Sequence, residues 1–293
     1  MPSLPSEFEE KEYEAPLYNQ LEHGTNLLWS PGQVFEHHIG IDRAIFIKDP
    51  AVWKTFGYDQ PPSGVYLEDY NWDYIWRLRR RRSLPDFRLN FFVQAKRCFF
   101  HNPRPRRLAK TGLATPCWRF DTDANQQQAL ENVATQIQKR ALLCYAAPAF
   151  HRLTELYGYT ATRTLIEHSS FPTINQLHDH SAWYFDSPGG SGVANPEAEF
   201  IGGMNLETRL ENFYREASAD LPSSLGDLSR DIESSIGQLP DDNPRKPIFF
   251  ERLRSIEIQM GEFFFLSAEN RAFARVAIFA DAFNLRWFAI GRA

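Results

Sequence analysis

Cysteine is scarce in this chain, and its scarcity excludes one class of protein. Cys98, Cys117 and Cys144 are odd in number and widely spaced, so they do not suit the disulfide framework of a small secreted domain. No apolar run approaches the roughly 18 residues that a membrane-spanning helix needs. Residues 2–15 are acidic and lack the cationic start and apolar stretch of a secretory signal. We therefore expect a cytoplasmic protein with reduced thiols and no membrane association.

The chain also lacks the short motifs of several enzyme classes. It contains no His-Glu-x-x-His zinc motif, no Cys-x-x-Cys pair and no dinucleotide-binding fingerprint. The glycine-rich segment at residues 188–192 has no lysine of a phosphate-binding loop. Val193 stands where a Gly-x-Ser-x-Gly motif would require glycine. The sequence therefore gives no support to an ATPase or a protease.

The charge of the chain is unevenly distributed. Between residues 77 and 110 there are twelve Lys or Arg and a single acid, Asp86, although the whole chain has a net charge of −5. The remaining residues therefore carry −16. The concentrated positive charges repel one another unless an anion is bound there, and the phosphate backbone of a nucleic acid is the obvious anion. A solvated charged face is the alternative.

Hydrophobic periodicity indicates an α/β fold with a mixed central sheet flanked by helices. Strands are predicted over residues 41–47, 89–96 and 141–146, and a long helix over residues 124–139, with Asp121 or Asp123 as its N-cap. Further helices are predicted over residues 206–217, 225–236 and 268–283. Residues 1–28 are expected to form an extended arm, residues 29–168 the α/β core with an insertion at about 49–88, and residues 169–293 a mainly helical accessory region.

Four polar side chains in the predicted core suit one chemical task. Glu36 lies on a predicted helix that begins after Ser30, Asp42 opens a strand after Gly40, and Gln94 and Lys96 end an apolar strand on the same face. Carboxylate and amide oxygens of Asp42, Glu36 and Gln94, with the Ala95 carbonyl, are the ligands that Mg²⁺ or Mn²⁺ prefers. Lys96 is suited to holding an attacking water and offsetting charge in the transition state of phosphodiester hydrolysis.

Structural explanations also exist for each of these residues. Asp42 is suited to capping a turn, and Glu36 to an ion pair with Arg43 on a solvent-facing helix surface. Gln94 is able to bond to backbone at a sheet edge, and Lys96 is able to extend its ammonium to solvent. One metal-dependent site explains all four residues together.

The segment Val93-Gln94-Ala95-Lys96-Arg97, with the upstream Asp42 and Glu36, resembles the PD-(D/E)xK nuclease superfamily. It is most similar to the Mrr-like restriction-endonuclease branch, in which glutamine replaces the second acid. The resemblance covers residues 30–150 and implies a restriction-endonuclease-like core, with Asp42, Glu36, Gln94 and Lys96 as catalytic residues. It also implies Mg²⁺-dependent cleavage of DNA, often in prokaryotic defence against foreign DNA.

Double-stranded DNA is the expected partner, and a homodimer or a regulatory protein partner is left open. The cations expected to contact its phosphates are Arg79, Arg80, Arg81, Arg82, Arg97, Arg104, Arg106 and Arg107. The acidic residues Glu7, Glu9, Glu10 and Glu12 are expected to cover this basic surface. Two other functions remain open from the sequence: a catalytically inactive nucleic-acid-binding or scaffold subunit with a nuclease fold, and a nuclease directed at RNA.

Overall fold

In the computed structural model, which describes residues 3–21, 87–220, 225–261 and 268–291, ten strands form two sheets. The strands are β1 (Leu4–Pro5), β2 (Phe87–Ala95), β3 (Phe99–His101), β4 (Cys117–Asp121), β5 (Ala141–Pro148), β6 (Ser169–Ser170), β7 (Ala182–Phe185), β8 (Gly192–Asn195), β9 (Glu199–Ile201) and β10 (Arg286–Gly291). The α-helices are α1 (Glu10–Leu21), α2 (Ala124–Ile137), α3 (Leu153–Thr162), α4 (Leu206–Asp220), α5 (Leu225–Gly237), α6 (Arg245–Gly261) and α7 (Ala268–Ala282).

The smaller sheet is mixed and has the strand order β10-β2-β5-β6. β2 runs parallel to β5, with Gln94 opposite Tyr145, and antiparallel to β10, with Val93 opposite Arg286. Burial of both faces explains why β2 and β5 carry nearly continuous apolar runs instead of alternating polar and apolar residues. The expectation of a mixed sheet in an α/β fold is confirmed.

The larger sheet is antiparallel and has the order β1-β3-β4-β7-β8-β9. β3 follows β2 after only the three residues 96–98, so the two sheets share one nearly continuous stretch of chain. One face of the larger sheet, including Phe120, Trp183 and Phe185, contributes to the main core. The opposite face carries a small cluster, including Cys117, Tyr184 and Val193, which the loop residues Leu108 and Leu113 cover.

Helices cover both faces of the mixed sheet. Phe92 and Tyr145 point into a core shared with α2, α5, α6 and α7. Phe91 and Val93 point to the other side, where apolar residues of α1, α3 and α4 pack. No helix in the described ranges is long and apolar enough to cross a membrane.

Several local predictions match the structure closely. The strand expected at residues 89–96 is β2, the one expected at 141–146 is β5, and the helix expected at 124–139 is α2. Asp123 is its N-cap, because the Asp123 carboxylate accepts a hydrogen bond from the Gln126 N–H at 2.8 Å. The strand predicted at residues 41–47 and most of the insertion predicted at about 49–88 lie outside the described residues, and residues 87 and 88 belong to β2.

The N-terminal segment is not the extended arm that we expected. Helix α1 spans Glu10–Leu21, and its Tyr13, Leu17 and Tyr18 are buried against the mixed sheet. Pro16, which favoured an extended chain, lies inside this helix. The three buried residues recur at the spacing of one helix face, and their burial outweighs the lost backbone hydrogen bond.

The predicted accessory region also contributes to the central sheets. β10 pairs along β2, and β7 pairs with β4, so strands from both sides of the expected boundary at residues 168 and 169 share the same sheets. The helices predicted at 206–217, 225–236 and 268–283 correspond to α4, α5 and α7. The smaller strands β8 and β9 and the helices α3 and α6 were not predicted.

We expect Trp287 to be a main source of stability for the pairing of β10 with β2. Its ring stacks on Phe92 with centroids 6.0 Å apart, and its indole N–H donates to Asn90 Oδ1 at 3.1 Å. Trp287→Ala should lower the free energy of unfolding by about 3–5 kcal/mol, because it leaves a cavity. Urea denaturation followed by circular dichroism measures this loss.

Trp287→Phe is the matched control, because it keeps an aromatic ring and removes the hydrogen bond to Asn90. The phenylalanine variant should lose about 1–3 kcal/mol, the cost of an unsatisfied buried acceptor. A loss below about 1 kcal/mol for Trp287→Ala would show that β10 adds little to the stability of the sheet.

Candidate functional site

Gln94 and Lys96 lie at the carboxyl end of β2, on the side of the sheet that faces α2. Gln94 is 5% exposed and Lys96 is 9% exposed. The Lys96 Nζ lies 5.1 Å from the centre of the Tyr145 ring, and Tyr145 is the residue opposite Gln94 on β5. The Lys96 N–H donates to the Ala146 carbonyl at 2.8 Å, so the parallel pairing continues to this residue. Strand geometry therefore brings the amide and the ammonium to one buried place.

The Gln94 side-chain amide is only half satisfied. Its Nε2 donates to Gln126 Oε1 at 3.3 Å, and the Nε2 of Gln126 in turn donates to the Phe283 carbonyl at 2.5 Å. Its Oε1 is buried and has no hydrogen-bond partner among the described residues. A buried acceptor without a partner costs free energy, so this oxygen is suited to a ligand such as a cation or a hydrogen-bond donor.

Lys96 is a buried basic residue whose charge interacts with two carboxylates, those of Glu10 and Asp123. Burial lowers the pKa of Lys96, and the charges of Glu10 and Asp123 oppose that shift. Arg245, at the start of α6, lowers the pKa further. Burial therefore disfavours the charged form of Lys96, and the two acids favour it. Opposing effects of this kind on a pKa are common at functional sites.

Glu10 is the residue of this site that sequence reasoning missed. It is the first residue of α1, and its Oε2 accepts a hydrogen bond from the Arg97 N–H at 3.4 Å. Burial raises the pKa of Glu10, while the Lys96 charge opposes the shift. The helical spacing of Tyr13, Leu17 and Leu21 would have indicated α1, with Glu10 at its start, but the position of that helix next to the Lys96 strand is a tertiary contact.

The acidic N-terminal residues contact the basic segment in part. The Glu9 carboxylate forms an ion pair with Arg97 Nη1 at 3.0 Å, and Arg97 Nη2 donates to the Ser6 carbonyl at 2.7 Å. Glu7 and Glu12 instead accept backbone N–H groups, from Leu153 and Glu9 respectively. The guanidinium of Arg97, which was predicted to contact phosphate, therefore bonds to groups of the protein itself.

The remaining arginines of the predicted binding set divide into three groups. Arg104 holds the loop between β3 and β4, donating to the carbonyls of Leu113 and Ala109. Arg106 and Arg107 are exposed. Arg79, Arg80, Arg81 and Arg82 lie outside the described residues, and their role stays a prediction.

Two of the predicted metal ligands, Asp42 and Glu36, also lie outside the described residues. Both edges of β2 are occupied between Asn90 and Val93, by β5 on one side and β10 on the other. Pairing with β10 ends at Val93, and the Ala95 N–H donates to Tyr18 Oη at 3.3 Å. The backbone of Ala95, the fourth predicted ligand, therefore lies beyond the paired part of that edge.

The described ranges contain no group of three or more His, Cys, Asp and Glu side chains that could hold a metal ion. The two carboxylates that the sequence predicts as ligands, Asp42 and Glu36, lie outside those ranges. Within them, two side chains offer oxygen atoms to such a site. Gln94 Oε1 lies on the same strand as Lys96, and the Glu10 carboxylate has the strongest favourable charge interaction with Lys96.

Comparison with known proteins gave no relative. No family model matches the sequence, no curated protein matches it, and no solved structure matches the fold.

The charge interaction between Glu10 and Lys96 gives a directional prediction. Because the Glu10 carboxylate favours the charged ammonium, Glu10→Gln should lower the pKa of Lys96 further. A pH titration of the lysine ¹³Cε resonances, with Lys96 assigned by its absence in Lys96→Met, measures the shift. Glu14→Gln on the same helix is the matched control, and an equal effect of both variants would contradict the specific pairing.

Proposed function

We propose that the chain is a nuclease that uses Mg²⁺ or Mn²⁺ to hydrolyse phosphodiester bonds of DNA in the cytoplasm. The observation that carries this proposal is the burial of Gln94 and Lys96 on one face at the end of a central strand, where Gln94 Oε1 has no partner among the described residues and the charge of the helix-borne Glu10 interacts with Lys96. Burying an amide oxygen and an ammonium at one strand end is costly for a purely structural role.

The finer fold assignment is part of the same proposal. β2, α2 and β5 follow one another in the order strand, helix, strand, with β2 and β5 parallel and adjacent. This is the order in which a restriction-endonuclease-like core presents its Gln-x-Lys strand. We assign that core to β2, α2 and β5, and defence against foreign DNA as its setting follows from the resemblance alone.

The donor atoms present fit a hard divalent cation. Mg²⁺ and Mn²⁺ take oxygen ligands, and Gln94 Oε1 is a buried oxygen that lacks a partner within the described chain. Asp42 and Glu36 are proposed as further ligands on the basis of the sequence, together with the Ala95 carbonyl. When bound, the metal supplies Lewis acidity and lowers the pKa of a coordinated water.

Lys96 has two tasks in the proposed reaction. Its ammonium donates hydrogen bonds to the attacking water and offsets the negative charge that grows on the phosphate. Tyr145 and the α2 residues around it exclude solvent from one side of Lys96, and this strengthens both interactions. The charges of Glu10 and Asp123 favour the charged form of Lys96 and oppose the effect of burial.

A cleavage assay on supercoiled and linear duplex DNA tests the proposal. Cutting should require Mg²⁺ and disappear with EDTA. Lys96→Met and Asp42→Ala should each reduce the rate by about 10²–10³-fold, the usual effect of removing a group that stabilises the transition state. Glu10→Gln should reduce it less, because Glu10 acts through Lys96.

Lys11→Met is the matched control. Lys11 lies one residue after Glu10 on α1, and its side chain is 83% exposed, so its loss should leave cutting unchanged. Undiminished cutting by Lys96→Met would contradict the proposal. DNA binding without cutting by any form, in Mg²⁺ or EDTA, would favour the non-catalytic scaffold, and preferential cutting of single-stranded RNA would favour the RNA-directed nuclease.

A further inference from the structure

A second group of cations lies on the larger sheet, away from the main core. We call it the Tyr184 cluster, and its members are His101 on β3, Arg107 in the loop between β3 and β4, Arg119 on β4 and Tyr184 on β7. Arg119 pairs directly with Tyr184 across β4 and β7, and His101 lies opposite Cys117, two residues before Arg119. Alternation along the strands places these side chains on one face.

Tyr184 organises the cluster. It is 1% exposed, and the guanidinium carbons of Arg107 and Arg119 each lie 5.6 Å from the centre of its ring. The Tyr184 hydroxyl accepts a hydrogen bond from Arg107 Nη2 at 2.6 Å, and the His101 and Tyr184 rings are 5.8 Å apart. The buried phenol thus gathers two guanidinium groups and an imidazole around itself.

The loop that carries Arg107 is held in place by other contacts. Leu108 and Leu113 are buried against the sheet, and Arg104 donates to the carbonyls of Ala109 and Leu113. Apolar packing of the loop against the sheet therefore keeps Arg107 in position over Tyr184. A preorganised group of donors loses little conformational entropy when it binds a ligand.

Two carboxylates lie near the two arginines of the cluster, and each has a partner of its own. Asp121 forms an ion pair with Arg119 Nη2. Asp186, on the loop after β7, accepts hydrogen bonds from the Ala114 N–H and the Ser187 hydroxyl. Burial lowers the pKa of His101, and the positive charges of Arg119 and Arg107 lower it further.

Two nitrogen atoms of the cluster lack partners within the described residues. Arg119 Nε and His101 Nε2 are both buried without a hydrogen bond. The Arg119 side chain is still 31% exposed, and Arg107 is exposed, so the cluster is open to a ligand from solvent. An oxyanion, which accepts several hydrogen bonds and carries negative charge, complements this set of groups.

We propose that Arg107, Arg119 and His101 bind a phosphate group of the nucleic-acid backbone. A phosphate oxygen matches the planar donors of a guanidinium, and a second cation neutralises the remaining charge. The choice of nucleic acid as the source of the phosphate rests on the proposed function.

The distance to Lys96 supports that choice. His101 follows Lys96 by five residues, so the two Cα atoms are at most about 18 Å apart in an extended chain. One DNA strand advances about 3.4 Å per nucleotide, so a duplex of roughly five base pairs covers that distance. The chain therefore limits Lys96 and His101 to a separation that a single duplex is long enough to cover.

The first arm of the test measures binding of a fluorescently labelled DNA duplex by anisotropy, in EDTA so that no cutting occurs. Arg107→Gln and Arg119→Gln should each weaken binding about tenfold or more, as expected for loss of a charge-assisted hydrogen bond. Each should also reduce the slope of log affinity against log salt by about 0.9. Arg254→Gln, which removes one exposed charge from α6, should leave both quantities nearly unchanged.

The second arm adds inorganic phosphate to the protein and follows the imidazole resonances of His101 by NMR. A bound phosphate should raise the pKa of His101, and the effect should be absent in Arg107→Gln. Because Arg107 is exposed, this variant tests the site even if Arg119→Gln fails to fold.

The outcomes separate two claims: that the Tyr184 cluster binds phosphate, and that this phosphate belongs to a nucleic acid. Unchanged DNA affinity in both arginine variants, with no response of His101 to phosphate, would overturn the site. A response of His101 with unchanged DNA affinity would establish a phosphate site and overturn nucleic acid as its ligand. Neither measurement depends on cutting, so failure of the nuclease proposal at Lys96 is detected separately.

Discussion

The pairing of β2 on both edges is the constraint on which the rest of the structure depends. β5 lies along one edge in parallel and β10 along the other in antiparallel orientation, so a strand near the middle of the chain is joined to one at residues 286–291. Helices then cover both faces, so the described part of β2 is enclosed on its faces as well as its edges. Any polar group on this strand must find a partner inside the protein or carry a free-energy cost.

Two amides on the same face of β2 meet that requirement differently. Asn90 is fully buried, and its side chain donates to the Arg140 carbonyl and accepts from the Trp287 indole, so both ends are satisfied. Gln94, four residues later, has a described partner for its nitrogen and none among the described residues for its oxygen. The first amide acts as a connection between β10 and β2. The second retains an unused oxygen where Lys96 also lies buried, and such unmet bonding capacity distinguishes a candidate site from a structural contact.

The sequence was a good guide to elements whose signal is local and a poor guide to those formed by distant contacts. Continuous apolar runs located β2 and β5, and Asp123 with the helical pattern located α2. Helix α1 was missed because Pro16 suggested extended chain, whereas burial of Tyr13 and Leu17 against the sheet decides its conformation. Glu10 was missed with it, since no spacing along the chain relates residue 10 to residue 96. The partnership of β10 with β2 is equally a tertiary contact.

The basic segment shows why charge density alone does not identify binding residues. Arg97 and Arg104 belong to the same run of cations, yet one is tied to Glu9 and the Ser6 carbonyl and the other to loop carbonyls. Arg119 lies outside that run, but its position opposite Tyr184 places it with Arg107. Because β3 begins three residues after Lys96, strand pairing fixes this second group of cations relative to the lysine. A ligand that spans both groups would therefore be oriented by the sheets themselves, without a separate recognition domain.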